Sequence, residues 1–103
     1  MKDIEGRESQ RYQLPSDLSV VYEGETAEVP VHPADLSTRG MFVPTPRELP
    51  IGSVLKVSFR LKRSGVRVNV RAEVRHCEPG VGVGVEFLEL SPEALKAIQK
   101  EIS

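Results

Sequence analysis

Hydrophobic and polar residues alternate along much of the second half of the chain. In residues 66–74 every second residue is apolar, and the residues between them are Arg, Asn or Glu. Residues 55–61 alternate in the same way, and the intervening residues 62–65 end in glycine. Because successive side chains of a strand point to opposite faces, each run predicts a strand with one buried and one wet face. The glycine-containing turn should join them as a hairpin.

Four further strands and one helix complete the predicted elements. Residues 81–87 follow a Pro-Gly turn and alternate valine with glycine, and the glycines predict a close approach of another backbone. The other predicted strands are residues 18–22, 26–31 and 41–43. Ser91 is a predicted N-cap, Pro92 takes the first helical position, and apolar residues recur at helical spacing as far as Ile102.

This order of elements predicts an all-β domain with one C-terminal helix. About six short strands without crossover helices are typical of a small antiparallel barrel or sandwich. The 103 residues suffice for a single core. We divide the chain into an N-terminal arm (residues 1–12), the β domain (13–90) and the helix (91–103).

The compartment is predicted from what the sequence lacks. Residues 1–15 contain no apolar signal segment, and no run approaches the about 20 apolar residues that span a bilayer. The single cysteine, Cys77, cannot form an internal disulfide, which favours a reducing compartment. We therefore expect a cytoplasmic protein that is not inserted into a membrane.

Charge is balanced overall and uneven locally. The formal net charge of −1 argues against a polybasic nucleic-acid binder, although nine of the fourteen basic residues are arginine. Residues 56–75 carry seven basic side chains and one acidic one. This basic face could hold an anionic ligand, RNA or an acidic partner, or it could simply keep a solvated sheet from aggregating. With five aromatic residues and no tryptophan, the chain offers few side chains on which single strands could stack, so nucleic acid is the weaker alternative.

No catalytic or metal site is predicted. The adjacent His76 and Cys77 resemble a base and a nucleophile, but neighbouring residues of a strand point to opposite faces. The second histidine, His32, has no cysteine or histidine at metal-ligand spacing. We predict a protein that is not an enzyme and has no metal.

Two short motifs carry the most specific signal. Arg7 and Arg11 form an RxxxR pattern, which is weak because such pairs recur in the chain. Asp35, Ser37 and Gly40 form a DxSxxG pattern; with Asp or Asn allowed at its first position, chance gives roughly 0.03 occurrences at this composition.

These motifs, together with the Leu-Pro-Ile-Gly-Ser-Val-Leu-Lys-Val stretch of residues 49–57 and the Gly-Val-Gly-Val-Glu-Phe strand of residues 82–87, resemble a PilZ domain. The resemblance covers about residues 7–90. It implies a six-stranded antiparallel β-barrel and a receptor for the bacterial second messenger cyclic di-GMP, with no other cofactor. The ligand residues that it implies are Arg7, Arg11, Asp35, Ser37 and Gly40. Arg39 and Arg75 are further candidates by charge and predicted strand position.

The chemistry of the ligand suits these residue types. The N7 and O6 acceptors of guanine match one arginine fork, a role open to Arg7 or Arg11. Their guanidinium groups could alternatively stack on a purine face or pair with phosphate oxygens. The carboxylate of Asp35 can accept hydrogen bonds from the N1–H and N2–H groups of guanine, which excludes adenine. Ser37 can donate to a phosphate or base, and Gly40 permits a backbone angle or a close approach that a side chain would block.

The energetics predict a switch. Each bidentate contact to a base contributes roughly 1–3 kcal/mol of discrimination, whereas fixing the backbone of each arm residue costs about 1–2 kcal/mol of conformational entropy. Because this cost offsets much of the contact energy, we expect micromolar affinity. Residues 1–11 should be mobile in the free protein and wrap over the barrel with the ligand, signalling to an unidentified downstream protein.

The alternatives are a PilZ-type scaffold without nucleotide and a small barrel that binds nucleic acid through residues 56–75.

Overall fold

One antiparallel sheet and one helix make up the described structure. The computed structural model describes residues 12–13, 16–32 and 34–102. The elements are β1 (Tyr12–Gln13), β2 (Ser16–Tyr22), β3 (Asp35–Leu36), β4 (Gly40–Pro44), β5 (Val54–Arg60), β6 (Arg67–Glu78), β7 (Gly82–Phe87) and α1 (Pro92–Ile102). The strands pair in the order β1-β3-β4-β7-β6-β5-β2, and every pairing is antiparallel.

The sheet curls because its two edge strands are neighbours in the chain. β1 and β2 lie at opposite ends of the pairing order, yet only two residues separate them in sequence. That connection can span no more than about 11 Å. Counted as one interrupted strand, β1 and β2 bring the number of strands to six, which is the number that the sequence predicted. The predicted all-β fold with a C-terminal helix is confirmed.

The core lies inside the curl of the sheet and follows the predicted alternation. The inward side chains of β5 and β6 are buried, and Val57 lies opposite Val70 in the predicted hairpin. Each large apolar side chain buried in this way contributes about 1.5–3 kcal/mol to the stability of the fold. The turn is longer than predicted: Val66 is 40% exposed, and its carbonyl accepts a hydrogen bond from the N–H of Leu61 at 2.8 Å. Gly65 supplies the positive φ of 75° in this turn.

The predicted strand over residues 26–31 is wrong. This segment makes one isolated bridge, between Glu28 and Val21, and the N–H of Val29 donates to the carbonyl of Val20 at 2.7 Å. Pro30 has no N–H with which to continue a ladder. The next strand is instead the short β3 (Asp35–Leu36), which the sequence did not predict.

The helix begins at the predicted cap. The hydroxyl of Ser91 accepts a hydrogen bond from the N–H of Ala94 at 3.1 Å, and Ile98 is fully buried against the core. At 11 residues it is too short to cross a bilayer, and the described residues contain no other helix.

The C-terminal end of α1 is fastened to the β5–β6 turn. The buried carboxylate of Glu101 accepts hydrogen bonds from the backbone N–H groups of Lys62 at 3.2 Å and Arg63 at 3.0 Å. The guanidinium of Arg63 donates to the carbonyl of Lys100 at 2.9 Å. Helix and hairpin therefore hold each other at this end of the fold.

Candidate functional site

The DxSxxG motif forms the connection between β3 and β4. Asp35 lies in β3 opposite Phe42 of β4. The hydroxyl of Ser37 accepts hydrogen bonds from the N–H groups of Arg39 and Gly40, both at 3.2 Å, and donates to the carbonyl of Gly40 at 3.1 Å. The N–H of Ser37 donates to the same carbonyl at 2.9 Å. Ser37 therefore shapes the turn with both its backbone and its side chain.

Gly40 is required by the packing of the sheet. It lies opposite Glu86 of β7, and a Cβ at position 40 would overlap the carbonyl oxygen of Val85. Any side chain would push β4 away from β7. The close approach predicted at Gly40 is thus an approach of the neighbouring strand.

A cavity of about 550 Å³ opens on the outer face of the sheet beside this turn. Its lining residues are Asp35, Leu36, Ser37, Arg39, Gly40, Met41, Phe42, Arg75, His76, Gly84, Val85 and Glu86. Its floor is one row of paired residues, from Asp35 through Phe42 and Gly84 to His76. Because Gly84 has no side chain, the floor is open between Phe42 and His76.

The ring of Phe42 leans along the sheet toward Gly82. A Cβ on Gly82 would lie 2.7 Å from Cζ of Phe42 and 2.6 Å from the carbonyl oxygen of Val43. Glycine at position 82 therefore makes room for the ring. The close approach that the sequence predicted for this strand occurs here, whereas a Cβ on Gly84 would meet His76 at an ordinary 3.6 Å.

A β-bulge directs two consecutive side chains toward the cavity. Val74 lies opposite Val85 and His76 lies opposite Gly84, so Arg75 is an extra residue in β6. Both Arg75 and His76 are exposed and line the cavity, and strict alternation would have placed only one of them there. The alternation then resumes, and Cys77 packs against the core, on the face opposite to His76.

Charges of both signs meet in the cavity. Nη2 of Arg75 lies 2.9 Å from Oε1 of Glu86 and 3.8 Å from Oε1 of Glu73. Arg39 is exposed at the turn, and Asp35 is half-buried. The cavity thus offers two guanidinium groups and two carboxylates to a bound molecule.

The structure brings together five of the seven residues that the sequence singled out. Asp35, Ser37, Arg39, Gly40 and Arg75 all line this cavity. Arg7 and Arg11 lie outside the described residues.

The family model of the PilZ domain matches residues 5–103, nearly the whole chain. The chain belongs to the PilZ domain family. No curated protein and no solved structure matches it significantly. The resemblance stated from the motifs is confirmed, and a PilZ domain is a binding domain.

Sequence reasoning missed seven residues that line the cavity of this PilZ domain, and four of them lie on the outer face of the sheet: Phe42, His76, Gly84 and Glu86. Three of them carry a signal, because strict alternation in β4 and β7 places Phe42, Gly84 and Glu86 on the outer face. His76 carries none, since its orientation depends on the bulge. Among the described residues, no three His, Cys, Asp or Glu side chains are grouped so as to hold a metal ion.

The basic face of this PilZ domain, residues 56–75, is partly neutralised by acidic residues of β2 and the turn after it. Asp17 lies 3.6 Å from Nε of Arg60 and 3.3 Å from Nη2 of Arg67. Glu23 binds Arg71 with two hydrogen bonds, at 2.8 and 3.2 Å, and these bonds raise the pKa of the Arg71 guanidinium. The sequence missed both acids because only the pairing of β2 with β5 brings them here.

Proposed function

We propose that this PilZ domain is a receptor for cyclic di-GMP and that the ligand binds in the cavity beside the β3–β4 turn. The observation that carries the proposal is that Asp35, Ser37 and Gly40, the three defined positions of the DxSxxG motif, line one cavity of about 550 Å³. Arg39 and Arg75 line it too. A family of cyclic di-GMP receptors supplies the expectation of this ligand.

The cavity residues divide the work of recognition. The carboxylate of Asp35 accepts hydrogen bonds from the N1–H and N2–H groups of a guanine, and these bonds distinguish guanine from adenine. Arg39 and Arg75 attract the phosphates. Ser37 uses its hydroxyl within the turn, so its main contribution is to hold the turn in shape, and Gly40 keeps β4 against β7.

The arginines of the RxxxR motif complete the site in this proposal. β1 pairs with β3, and Gln13 lies opposite Asp35. The segment that carries Arg7 and Arg11 therefore joins the described chain beside the motif. Their guanidinium groups bind guanine N7 and O6 or the phosphates.

Ordering of residues 1–11 on the bound ligand is the proposed signal. The new surface is recognised by a downstream protein, which makes this chain an adaptor. Because the ligand is a bacterial second messenger, the receptor works in the bacterial cytoplasm. The role is binding alone, with no catalysis. The nucleic-acid alternative loses support because Asp17 and Glu23 lie against the arginines on which it depends.

Titration calorimetry with cyclic di-GMP tests the proposal. We expect a dissociation constant in the micromolar range for the parent chain. Arg7→Ala, Arg11→Ala and Asp35→Asn should each weaken binding by about tenfold or more, because each removes a base or phosphate contact.

Matched controls keep the comparison specific. Arg47 is exposed, stacks over the Tyr22 ring and does not line the cavity, and Asp17 lies on another part of the sheet. Arg47→Ala and Asp17→Asn should therefore bind like the parent. Absence of heat with the parent chain would contradict the proposal and favour a scaffold that does not bind nucleotide. Equal effects in the control variants would contradict the assignment of the site.

A further inference from the structure

Glu86 is an acidic residue in a site that we propose binds a ligand with two negative charges. Its side chain lines the cavity and is 44% exposed, so its negative charge would disfavour the two phosphates of cyclic di-GMP bound there. Among the described residues it pairs with Arg75, whose Nη2 lies 2.9 Å from Oε1 of Glu86. Within the described part of the chain, Arg75 is the only basic side chain with which Glu86 forms an ion pair.

We propose that Glu86 sets the affinity of the site by holding Arg75 in an ion pair that the ligand must displace. This inference rests on the proposed function, because it concerns binding of cyclic di-GMP to the same cavity. Glu86 is an affinity-lowering residue, and Arg75 contributes fully to ligand binding only when Glu86 releases it.

The bulge in β6 makes this competition possible. As the extra residue between Val74 and His76, Arg75 extends from the outer face of the sheet with 57% of its side chain exposed. A guanidinium presents the same fork to a carboxylate and to a phosphate, so the two compete for one set of N–H donors. Glu73 is a weaker competitor, because its carboxylate lies 3.8 Å from Arg75.

Glu86 faces the motif turn across the pairing of β4 with β7. Across β4 its partner is Gly40, which has no side chain to separate Glu86 from the motif turn. A carboxylate at this position can lower the affinity either by occupying Arg75 or by repelling phosphate, and the inference assigns the effect to the occupation of Arg75. The first effect requires Arg75 and the second does not, and this difference makes the inference testable.

The size of the effect is bounded by the exposure of the pair. Exposed ion pairs are weak, so the competition lowers the affinity by a small factor and does not abolish binding. Replacing Glu86 with glutamine keeps its length and removes its charge. We expect Glu86→Gln to tighten binding of cyclic di-GMP about threefold.

A double-mutant cycle measured by titration calorimetry tests the inference on the full chain. The four proteins are the parent, Glu86→Gln, Arg75→Ala and the double variant. Arg75→Ala should weaken binding less than about twofold in the parent background and at least about threefold in the Glu86→Gln background. The double variant should therefore bind like Arg75→Ala alone.

Glu25→Gln is the matched control for net charge. Glu25 is exposed and lies outside the cavity lining, and its replacement should leave the affinity unchanged. An affinity of Glu86→Gln equal to or weaker than that of the parent would overturn the inference alone. So would a gain that persists without Arg75, or an equal gain in Glu25→Gln. Absence of binding by the parent and every variant would overturn the proposed function and the inference together.

Discussion

Ser37 and Gly40 have a structural role in the fold that does not depend on any ligand. The hydroxyl of Ser37 makes three hydrogen bonds within the β3–β4 turn, and Gly40 lies where any side chain would overlap the backbone of β7. The spacing of the motif therefore reflects the geometry of a turn as well as the needs of a binding site. A substitution at either position disturbs the shape of the cavity even where it removes no ligand contact.

Substitutions at two glycines of neighbouring strands should have different effects, one on the stability of the fold and the other on the shape of the cavity. Gly40→Ala should lower the free energy of unfolding by about 1–3 kcal/mol, because the new methyl group overlaps the carbonyl of Val85. Gly84→Ala should fold with nearly parental stability, since its Cβ would meet His76 at 3.6 Å, yet it fills the floor of the cavity. Urea denaturation measures the free energy of unfolding of both variants. Equal stability of the two variants would show that Gly40 is not held as tightly as the structure indicates.

At the scale of elements, the predictable parts of the fold were those that obey strict alternation. β5, β6, β7 and the hairpin follow the period of two, and α1 follows its cap and its helical spacing. The strand expected over residues 26–31 fails because Pro30 removes a donor, and β3, with two residues, is too short to leave a pattern. Of the site, the motif could be found in the sequence. The orientation of His76 and the Arg75–Glu86 pair could not, because both depend on the bulge and on pairing between distant strands.

The fastening of α1 to the β5–β6 turn is a prediction at the same scale. Glu101→Ala should lower the free energy of unfolding by about 1–3 kcal/mol, because the N–H groups of Lys62 and Arg63 lose their acceptor. Lys96→Ala, an exposed position on the same helix, is the control and should change the stability little. Thermal and urea denaturation of both variants would check this, and equal loss in the two would contradict the role given to Glu101.

At the scale of the whole molecule, the net charge of −1 hides a division of the surface. Basic side chains of β5 and β6 meet Asp17 and Glu23, which the curl of the sheet brings to them. The cavity lies beside the motif turn and is lined by the guanidinium groups of Arg39, from the turn, and Arg75, from the bulge of β6. A near-neutral chain can therefore offer a compact anion a specific site without a surface that attracts long polyanions.

The location of the ligand is the central claim, and amide chemical-shift mapping by NMR during a titration with cyclic di-GMP tests it most directly. We predict that the largest shifts fall on the motif turn and on the facing residues of β6 and β7, including Ser37, Gly40, His76 and Gly84. Residues of the β2–β5 pairing, including Ser19 and Ser58, should move little. Shifts confined to residues 56–71 of the basic face, or no shifts at saturating ligand, would contradict the account.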